Sequence, residues 1–376
     1  MKYNNEITPK EKDPNLETVL VLQGGGALGA YECGVYKAIA KHKIKLDIIA
    51  ATSIGSINAA IIAGSKNDEP VKHLEDFWLS LGDTTTSYMP DNIRAITSVT
   101  NASIWGNKAF TPKWLSPNAD SEDSSYIYDN TLLRNKIIKY VDFENIRGPT
   151  NPRIIITCTD IQNAKPSIFD SKYDNITAEH VLASAGYPYY GIQWTKIGDR
   201  YLWDGSLLSN TPLIDAINAS PNSDKMVYLV DLFPHIQKSL PKNMEEVWHR
   251  ARDIMFADKV EHTLRVSNML KLYLELLGDM HEITTNYLHS GKADDNMKSK
   301  IIEVEKTYRK LTVERGGIIR DLVRVERKED APYLFEDSDF SSVTIKKLIQ
   351  NGEDDANKAI DLRFKKADQG VQNKPV

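Results

Sequence analysis

Hydrophobic residues in the first part of the chain follow two patterns, short continuous runs and a helical spacing of three to four positions. The runs at 17–23 and 45–53 predict buried strands, whereas the stretches at 28–42 and 54–64 predict helices. Strands and helices that alternate in this way build βαβ units. The pattern therefore predicts an α/β fold, with a mainly parallel central sheet sandwiched by helices.

The same alternation continues to about residue 234 and then gives way to long helical patterns. Further helices are predicted at 74–82, 128–143 and 176–186, and further strands at 152–161, 200–205 and 225–234. Beyond residue 241 we expect long helices, with one more strand at 318–327 and a last helix at 341–360.

This change of pattern predicts a division of the chain near Pro241. We expect an α/β domain over residues 15–241, a mostly helical C-terminal extension over 242–366, and flexible tails at 1–14 and 367–376.

One long segment, residues 83–130, loses all periodicity. It carries apolar and aromatic side chains among prolines and polar residues, namely Tyr88, Met89, Ile104, Trp105, Phe110 and Trp114. A loop of this length inside a compact domain is usually functional, and Trp and Tyr favour membrane interfaces. We expect a lid that contacts a membrane, and the alternative is a small core beneath the loop.

Composition narrows the class of function. Of the 376 residues, 41% are hydrophobic and 26% are charged, which is typical of a globular protein. A net charge of -5 leaves no basic excess for phosphates, so nucleic acid is not an expected partner.

Cysteine content and the apolar runs suggest a compartment. Cys33 and Cys158 lie in apolar runs and cannot form a disulfide framework, which suits a reducing cytoplasm. The polar N-terminal segment predicts no secretory signal, and no apolar run is long enough to predict a membrane span. We expect a cytoplasmic protein and leave peripheral attachment to a membrane open.

Ser53 follows the second predicted strand and opens the second predicted helix. Parallel α/β sheets place their ligand crevice at this point, and a helix N-terminus favours a developing anion. Ala51 and Gly55, two positions to either side, are small enough for the sharp turn of a nucleophile elbow, written here A-x-S-x-G. The alternative is that Ser53 only caps the helix.

The glycines after the first strand have two interpretations. Gly24, Gly26 and Gly29 fit G-x-G-x-x-G, the dinucleotide fingerprint, but the second strand ends in Ser53 rather than in an acidic residue. Nucleotide binding is therefore the weaker interpretation. With Gly25 between them, three consecutive glycines let several backbone amides point into one small space, which favours an oxyanion hole.

A base for Ser53 is harder to choose. Asp160, Asp204 and Asp231 all end predicted strands, and Asp204 is best placed because a glycine and then a helix follow it. His235 comes soon after, so the order Ser53, Asp204, His235 would also suit a Ser-Asp-His triad.

Four segments in order resemble the blocks of the patatin-like phospholipases: LQGGGALGAYECGV, ATSIGSINAA, ASAGYPYY and DGSLLSNTPL. The resemblance covers about residues 15–235, and the rest is similar to the helical extension of a bacterial subgroup. It implies hydrolysis of lipid acyl esters without metal or cofactor. The residues that it implies are a dyad of Ser53 and Asp204, an oxyanion hole from Gly24, Gly25 and Gly26, and motif support from Gly29, Gly55 and Gly205.

Two positions depart from the family pattern. Ala51 stands where the first elbow glycine is usual, and Leu28 stands where many relatives carry Lys or Arg in the glycine loop. The expected function is a serine acyl-ester hydrolase that acts on lipid esters through an acyl-enzyme. The alternatives are a Ser-Asp-His esterase for short-chain or hydroxyacid esters and a catalytically idle scaffold. Nothing in the pattern indicates an oligomeric state.

Overall fold

An eight-stranded sheet forms the centre of the protein in a computed structural model. The structure describes residues 15–84, 89, 93–94, 97–98, 100, 107–116, 125–237, 239–257, 260–290, 294–314, 317–328 and 336–368. The strands among them are β1 (Leu16–Leu22), β2 (Ile48–Thr52), β3 (Thr111–Pro112), β4 (Tyr128–Asp129), β5 (Arg153–Asp160), β6 (Lys165–Asp170), β7 (Thr195–Ile197), β8 (Arg200–Asp204), β9 (Asp224–Asp231) and β10 (Ile319–Glu326).

The strand order in the large sheet is β10-β9-β1-β2-β5-β8-β7, with β6 paired on β5. The strands from β10 to β5 pair in parallel, whereas β6, β7 and β8 join by antiparallel pairing. The predicted α/β fold with a mainly parallel sheet is therefore confirmed. β3 and β4 form a separate two-stranded ladder.

Helices cover both faces of the sheet, which explains why its central strands are continuously apolar. The described helices are α1 (Gly29–Lys41), α2 (Ile54–Ala63), α3 (Pro70–Leu81), α4 (Thr131–Tyr140), α5 (Ala178–Ser184), α6 (Leu213–Ala219), α7 (Met244–Phe256), α8 (Val260–His289), α9 (Asp295–Glu314) and α10 (Ser342–Asp368).

The alternation of side chains along β1 separates two apolar cores. Leu20 and Leu22 point into the larger core with the residues of α1, α2, α3 and α10. Val19 and Val21 point into the smaller core with α6 and the start of α8. The two cysteines of the chain are buried and unpaired, one in α1 and one in β5.

The C-terminal part of the chain completes the same sheet. The strand predicted at 318–327 forms as β10 and extends the sheet beyond β9 in parallel. The last helix, α10, crosses α1 so closely that a Cβ on Gly34 would lie 1.9 Å from the carbonyl oxygen of Ile349. The large sheet and the larger core therefore include residues from beyond position 241.

Between β9 and β10 most of the described residues are helical, as expected for this region. α8 and α9 pack against each other, with the rings of His281 and Tyr308 stacked 4.2 Å apart. Within the described ranges, no helix combines the length and the apolar character that a membrane crossing needs.

Several residues of the predicted lid lie outside the described residues, namely Tyr88, Ile104 and Trp105. Of the others, Phe110 packs against the larger core, whereas Trp114 is 64% exposed and Met89 is 37% exposed. Both tails were predicted as flexible. Residues 1–14 and 369–376 also lie outside the described ranges, and α10 extends to Asp368.

Candidate active site

Ser53 occupies a sharp turn between β2 and α2. Its backbone has φ 56° and ψ −125°, a conformation that L-residues adopt only when their surroundings impose it. The turn brings α2 against the end of β1, where a Cβ on Gly55 would lie 2.9 Å from the carbonyl oxygens of Leu22 and Gln23. The side chain of Ser53 contacts Asp204 instead of capping α2.

The register of β5 explains why Asp204 lies beside Ser53. One edge of β5 pairs with β2 as far as Thr52 opposite Thr157, and the next residue, Cys158, pairs with Asp204 of β8. Because β8 runs antiparallel to β5, its last residue meets the end of β2 along the same edge. A Cβ on Gly205 would lie 2.3 Å from the carbonyl oxygen of Thr157, so only glycine fits after Asp204.

The Ser53 hydroxyl donates a hydrogen bond of 2.5 Å to Oδ2 of Asp204. The other carboxylate oxygen, Oδ1, accepts from the backbone amide and the hydroxyl of Ser206, at 2.8 Å and 2.6 Å. Asp204 is fully buried, and this burial raises the pKa of its carboxyl to about 6, although the hydrogen bonds from Ser206 and Ser53 oppose the rise. A buried carboxyl with one oxygen fixed and the other on a serine is suited to accept the serine proton.

Ser184 was not singled out as a functional residue by the sequence pattern, yet it fixes the backbone of Ser53. The Ser53 amide donates to the Ser184 hydroxyl at 2.9 Å, and that hydroxyl donates to the carbonyl of Thr157 at 2.8 Å. Its place in the segment ASAGYPYY was the one signal that could have identified it.

The glycine loop lies directly against Ser53. A Cβ on Gly24 would lie 2.8 Å from the Cβ of Ser53, and the amide of Gly24 donates to Oδ1 of the buried Asn210 at 3.1 Å. Asn210 returns a bond from Nδ2 to the Gly24 carbonyl at 3.2 Å. Among the described residues, the amides of Gly25 and Gly26 have no hydrogen-bond partner. Two amides of the loop therefore remain available to an anion.

Close packing also accounts for the fourth glycine of this motif. A Cβ on Gly29 would lie 2.6 Å from Cγ1 of Ile54 and 2.8 Å from Cζ2 of Trp78. Gly29 thus lets α1 approach the start of α2, and its role in the described structure is one of packing.

A C-terminal turn at residues 336–338 supports the glycine loop from outside. Gly26 has φ +55°, and a Cβ there would lie 2.2 Å from the carbonyl oxygen of Asp337. The Asp337 carboxylate accepts a hydrogen bond from the Tyr190 hydroxyl at 2.5 Å. Glu336 binds two guanidinium groups, Arg252 at 2.9 Å and Arg327 at 2.7 Å. The turn is therefore held by a buried ionic network.

That network includes a cluster with the residue types of a metal site. Single ligand atoms of His249, Asp253 and Glu336 lie within 4.8 Å of one another and are buried. Arg252 lies 3.0 Å from Nε2 of His249, and Glu336 is also bound by Arg327. Two guanidinium groups already supply the positive charge at this position, so the cluster is a structural ion-pair network.

The remaining sequence candidates have other partners. His235 contacts Oδ2 of Asp231 at 2.8 Å rather than Asp204, so the predicted triad alternative does not match the geometry. The Asp160 carboxylate accepts hydrogen bonds from the backbone amides of Gln162 and Asn163 and so stabilises a turn.

Ser53 and Asp204 open into a cavity of about 560 Å³. Its lining includes the glycine loop and the turn at 336–338, and its walls are mostly apolar, among them Ile57, Leu81, Leu133, Tyr187, Phe233 and Phe256. A cavity of this size and character is suited to an acyl chain.

A serine at a strand-to-helix elbow, hydrogen-bonded to a buried carboxylate beneath free backbone amides, is typical of serine hydrolases on α/β sheets. The model of the patatin-like phospholipase family matches residues 20–217, which is more than half of the chain. The chain therefore belongs to the patatin-like phospholipase family, a family of lipid hydrolases, as the resemblance predicts.

Known relatives match over short stretches. The chain is 38% identical over 64 residues to the triacylglycerol lipase SDP1L of Arabidopsis thaliana, covering 17% of this chain and 8% of the relative. It is 38% identical over 81 residues to the lysophospholipase NTE1 of Meyerozyma guilliermondii, covering 19% and 6%. The chain thus spans less than a tenth of the length of these curated relatives.

Solved structures with similarity to the chain include two bacterial proteins. VipD of Legionella pneumophila has a TM-score of 0.36 and 12% identity, covering 93% of this chain and 67% of that one. ExoU, in its complex with SpcU from the type III secretion system of Pseudomonas aeruginosa, has a TM-score of 0.36 and 12% identity, covering 94% and 52%.

Proposed function

We propose that the protein hydrolyses acyl esters of lipids, with Ser53 as nucleophile and Asp204 as general base. The observation that carries this proposal is the 2.5 Å hydrogen bond from Ser53 to a fully buried Asp204 inside an apolar cavity. The relatives include a triacylglycerol lipase and a lysophospholipase, which supports lipid esters as the substrate class.

The reaction proceeds through an acyl-enzyme. Asp204 accepts the Ser53 proton while the serine oxygen attacks the ester carbonyl carbon, and negative charge develops on the carbonyl oxygen. We assign the stabilising donors to the amides of Gly25 and Gly26, because the amide of Gly24 already binds Asn210. Asp204 then passes the proton to the leaving alcohol or lysolipid. In the second half, Asp204 takes a proton from a water molecule whose oxygen attacks the acyl carbon. The bond between that carbon and the Ser53 oxygen then breaks, the fatty acid leaves, and Asp204 returns the proton to Ser53.

The nucleophile is tested with a fluorophosphonate probe and a soluble short-chain ester. We expect the probe to label Ser53 in the wild-type protein and Ser53→Ala to abolish both labelling and turnover, because Ser53 lies at the strand-to-helix turn with its hydroxyl on the buried Asp204 and its side chain against the glycine loop. Labelled peptides identified by mass spectrometry measure this directly. Full labelling of a folded Ser53→Ala protein would overturn the assignment.

The base is tested in the same assay with two variants. Asp204→Asn is expected to lose on the order of 10³-fold in kcat, by analogy with base removal in other serine hydrolases. His235→Ala is the matched control and is expected to keep activity, because His235 binds Asp231. Equal losses in the two variants, with circular dichroism unchanged, would instead favour a triad.

A further inference from the structure

Helix α7 has its polar and apolar faces reversed relative to an ordinary surface helix. The side chains of His249 and Asp253 are buried, whereas Met244, Trp248 and Met255 are 64%, 61% and 65% exposed. Soluble proteins normally turn the apolar face of such a helix toward the core. A row of exposed apolar side chains on one helix therefore indicates a surface that something else covers.

The ionic network described above holds α7 in this orientation. His249 lies 3.4 Å from Asp253 one turn along the helix, and Arg252 binds both Asp253 and Glu336, at 2.8 Å and 2.9 Å. Rotating the helix to bury Trp248 would expose or break these buried ion pairs, which is costly. The outward position of the apolar face is thus built into the fold.

The C-terminal end of α7 reaches the candidate active site. Phe256, the last residue of α7, lines the cavity and packs against Phe233 with ring centroids 5.1 Å apart. The segment that leads from Phe233 to α7 also exposes large apolar side chains, Ile236 at 86% and Leu240 at 85%. Exposed apolar side chains therefore occur both before α7 and along it, and Phe233 and Phe256, at the two ends of this stretch, line the cavity.

We propose that the outer face of α7 docks on a lipid surface and so brings the cavity to its substrate; this inference rests on the proposed function. A lipid surface fits this face better than a protein partner does, for two reasons. The exposed positions Met244, Trp248, Ile254 and Met255 carry no charge or hydrogen-bonding group except the indole N–H, which suits the boundary between hydrocarbon and water. The apolar cavity, which Phe256 of the same helix lines, also needs a source of acyl chains.

Binding is measured separately from catalysis, in a Ser53→Ala protein mixed with sedimented vesicles of phosphatidylcholine. Adding Trp248→Ser and Met255→Ser is expected to weaken the vesicle partition coefficient at least about tenfold, because two apolar side chains lose their burial in lipid. The matched control is Tyr173→Ser. Tyr173 is 70% exposed but lies beside Arg153, at the opposite end of β5 from the site, and its loss should leave binding unchanged.

Activity gives a second readout in the protein with Ser53 intact. The double variant is expected to hydrolyse lipid in vesicles at least about tenfold more slowly and a soluble short-chain ester at the wild-type rate, because the face lies outside the cavity. Equal vesicle binding by wild type and the double variant would overturn the proposal. A wild-type dimer that the double variant converts to a monomer would also overturn it, since a second copy would then cover the face.

Failure of the proposed function would look different. A wild-type protein that binds vesicles through α7 but neither reacts with the fluorophosphonate nor hydrolyses the soluble ester would leave the docking surface supported and remove the hydrolase assignment.

Discussion

At the scale of single residues, burial and hydrogen bonding have opposite effects on the pKa of Asp204. An ordinary carboxylate is too weakly basic to take a proton from serine. Burial raises the pKa of Asp204 to about 6, and the two donors of Ser206 limit that rise. The same donors fix Oδ1, so that only Oδ2 faces Ser53.

This balance predicts the acid side of the pH–rate profile. As the proposed base, Asp204 can accept a proton only when it is ionised, so turnover of a soluble, uncharged ester should fall as the pH drops through about 6. Ser206→Ala removes a hydrogen bond that lowers the pKa of Asp204, and the fall should then begin at higher pH. Values of kcat/KM measured from about pH 4.5 to about pH 9, in steps of roughly half a pH unit, test both expectations.

His235→Ala is the control for this experiment, because a histidine that acted as the base would also give an acid limb near neutral pH. The profile should keep its acid limb in this variant. A limb that disappears with His235, or that moves to lower pH in Ser206→Ala, would contradict the role given to Asp204.

The residues of the site differ in how well the sequence alone predicts their roles. The position of Ser53 can be predicted because its small neighbours and the change from a strand pattern to a helix pattern indicate a nucleophile elbow. Asp204 is one of three equivalent strand-end carboxylates until the register of β5 selects it. Ser184 and Asn210 act through hydrogen bonds to backbone more than 100 residues away, at separations of 131 and 186, and no local pattern encodes such contacts.

At the scale of elements, segments from distant parts of the chain meet around the proposed oxyanion hole. The glycine loop between β1 and α1 supplies the amides, β8 is followed by Asn210, and the turn at 336–338 follows β10. Gly26 is where the first and the last of these pieces meet. Its left-handed backbone and the carbonyl of Asp337 leave no space for a side chain.

Gly26→Ala therefore introduces two penalties, whereas Gly198→Ala introduces one. Gly198 has φ +58°, similar to Gly26, but among the described residues nothing lies within 4 Å of an added Cβ. The left-handed backbone alone costs about 1–2 kcal/mol. We expect Gly198→Ala to lower the free energy of unfolding by about that amount and to keep kcat, because it lies away from the site.

Gly26→Ala should destabilise the protein further and reduce kcat strongly, since the loop must move away from residue 337. Urea denaturation and soluble-ester kinetics on both variants provide the comparison. Similar kcat values for the two would show that the glycine loop does not depend on the 336–338 turn.

The whole molecule is less predictable from sequence than its elements are. Most of the longer strands and helices up to residue 234 follow local periodicity and lie within a few residues of their predicted bounds, and so does the strand at 319–326. The strands β3, β4, β6 and β7 were not predicted. Periodicity does not predict which strands pair or which helices pack together. The addition of β10 to β9 and the packing of α10 on α1 depend on contacts between segments far apart in the chain, which local periodicity does not encode.

The α1–α10 crossing can be tested with two helical glycines. A Cβ on Gly352 would lie 2.0 Å from the carbonyl oxygen of Tyr31, so Gly352→Ala should force the helices apart and cost about 1–3 kcal/mol of unfolding free energy. Gly278, in α8, has space around it, with the nearest described atom 4.0 Å away. Gly278→Ala should be neutral or stabilise by up to about 1 kcal/mol. Equal effects on the thermal midpoint would show that the crossing is not tightly packed.

The same crossing has a consequence for the order in which the protein can assemble. α1 is buried on almost every side and follows the glycine loop directly, yet one of its faces is covered only when α10 has been synthesised and has docked. Contacts between such distant segments form slowly, and an apolar helix that waits for its partner is prone to aggregate. Substitutions in α10, far from Ser53, should therefore reduce the yield of soluble enzyme while each molecule that does fold turns over at the normal rate.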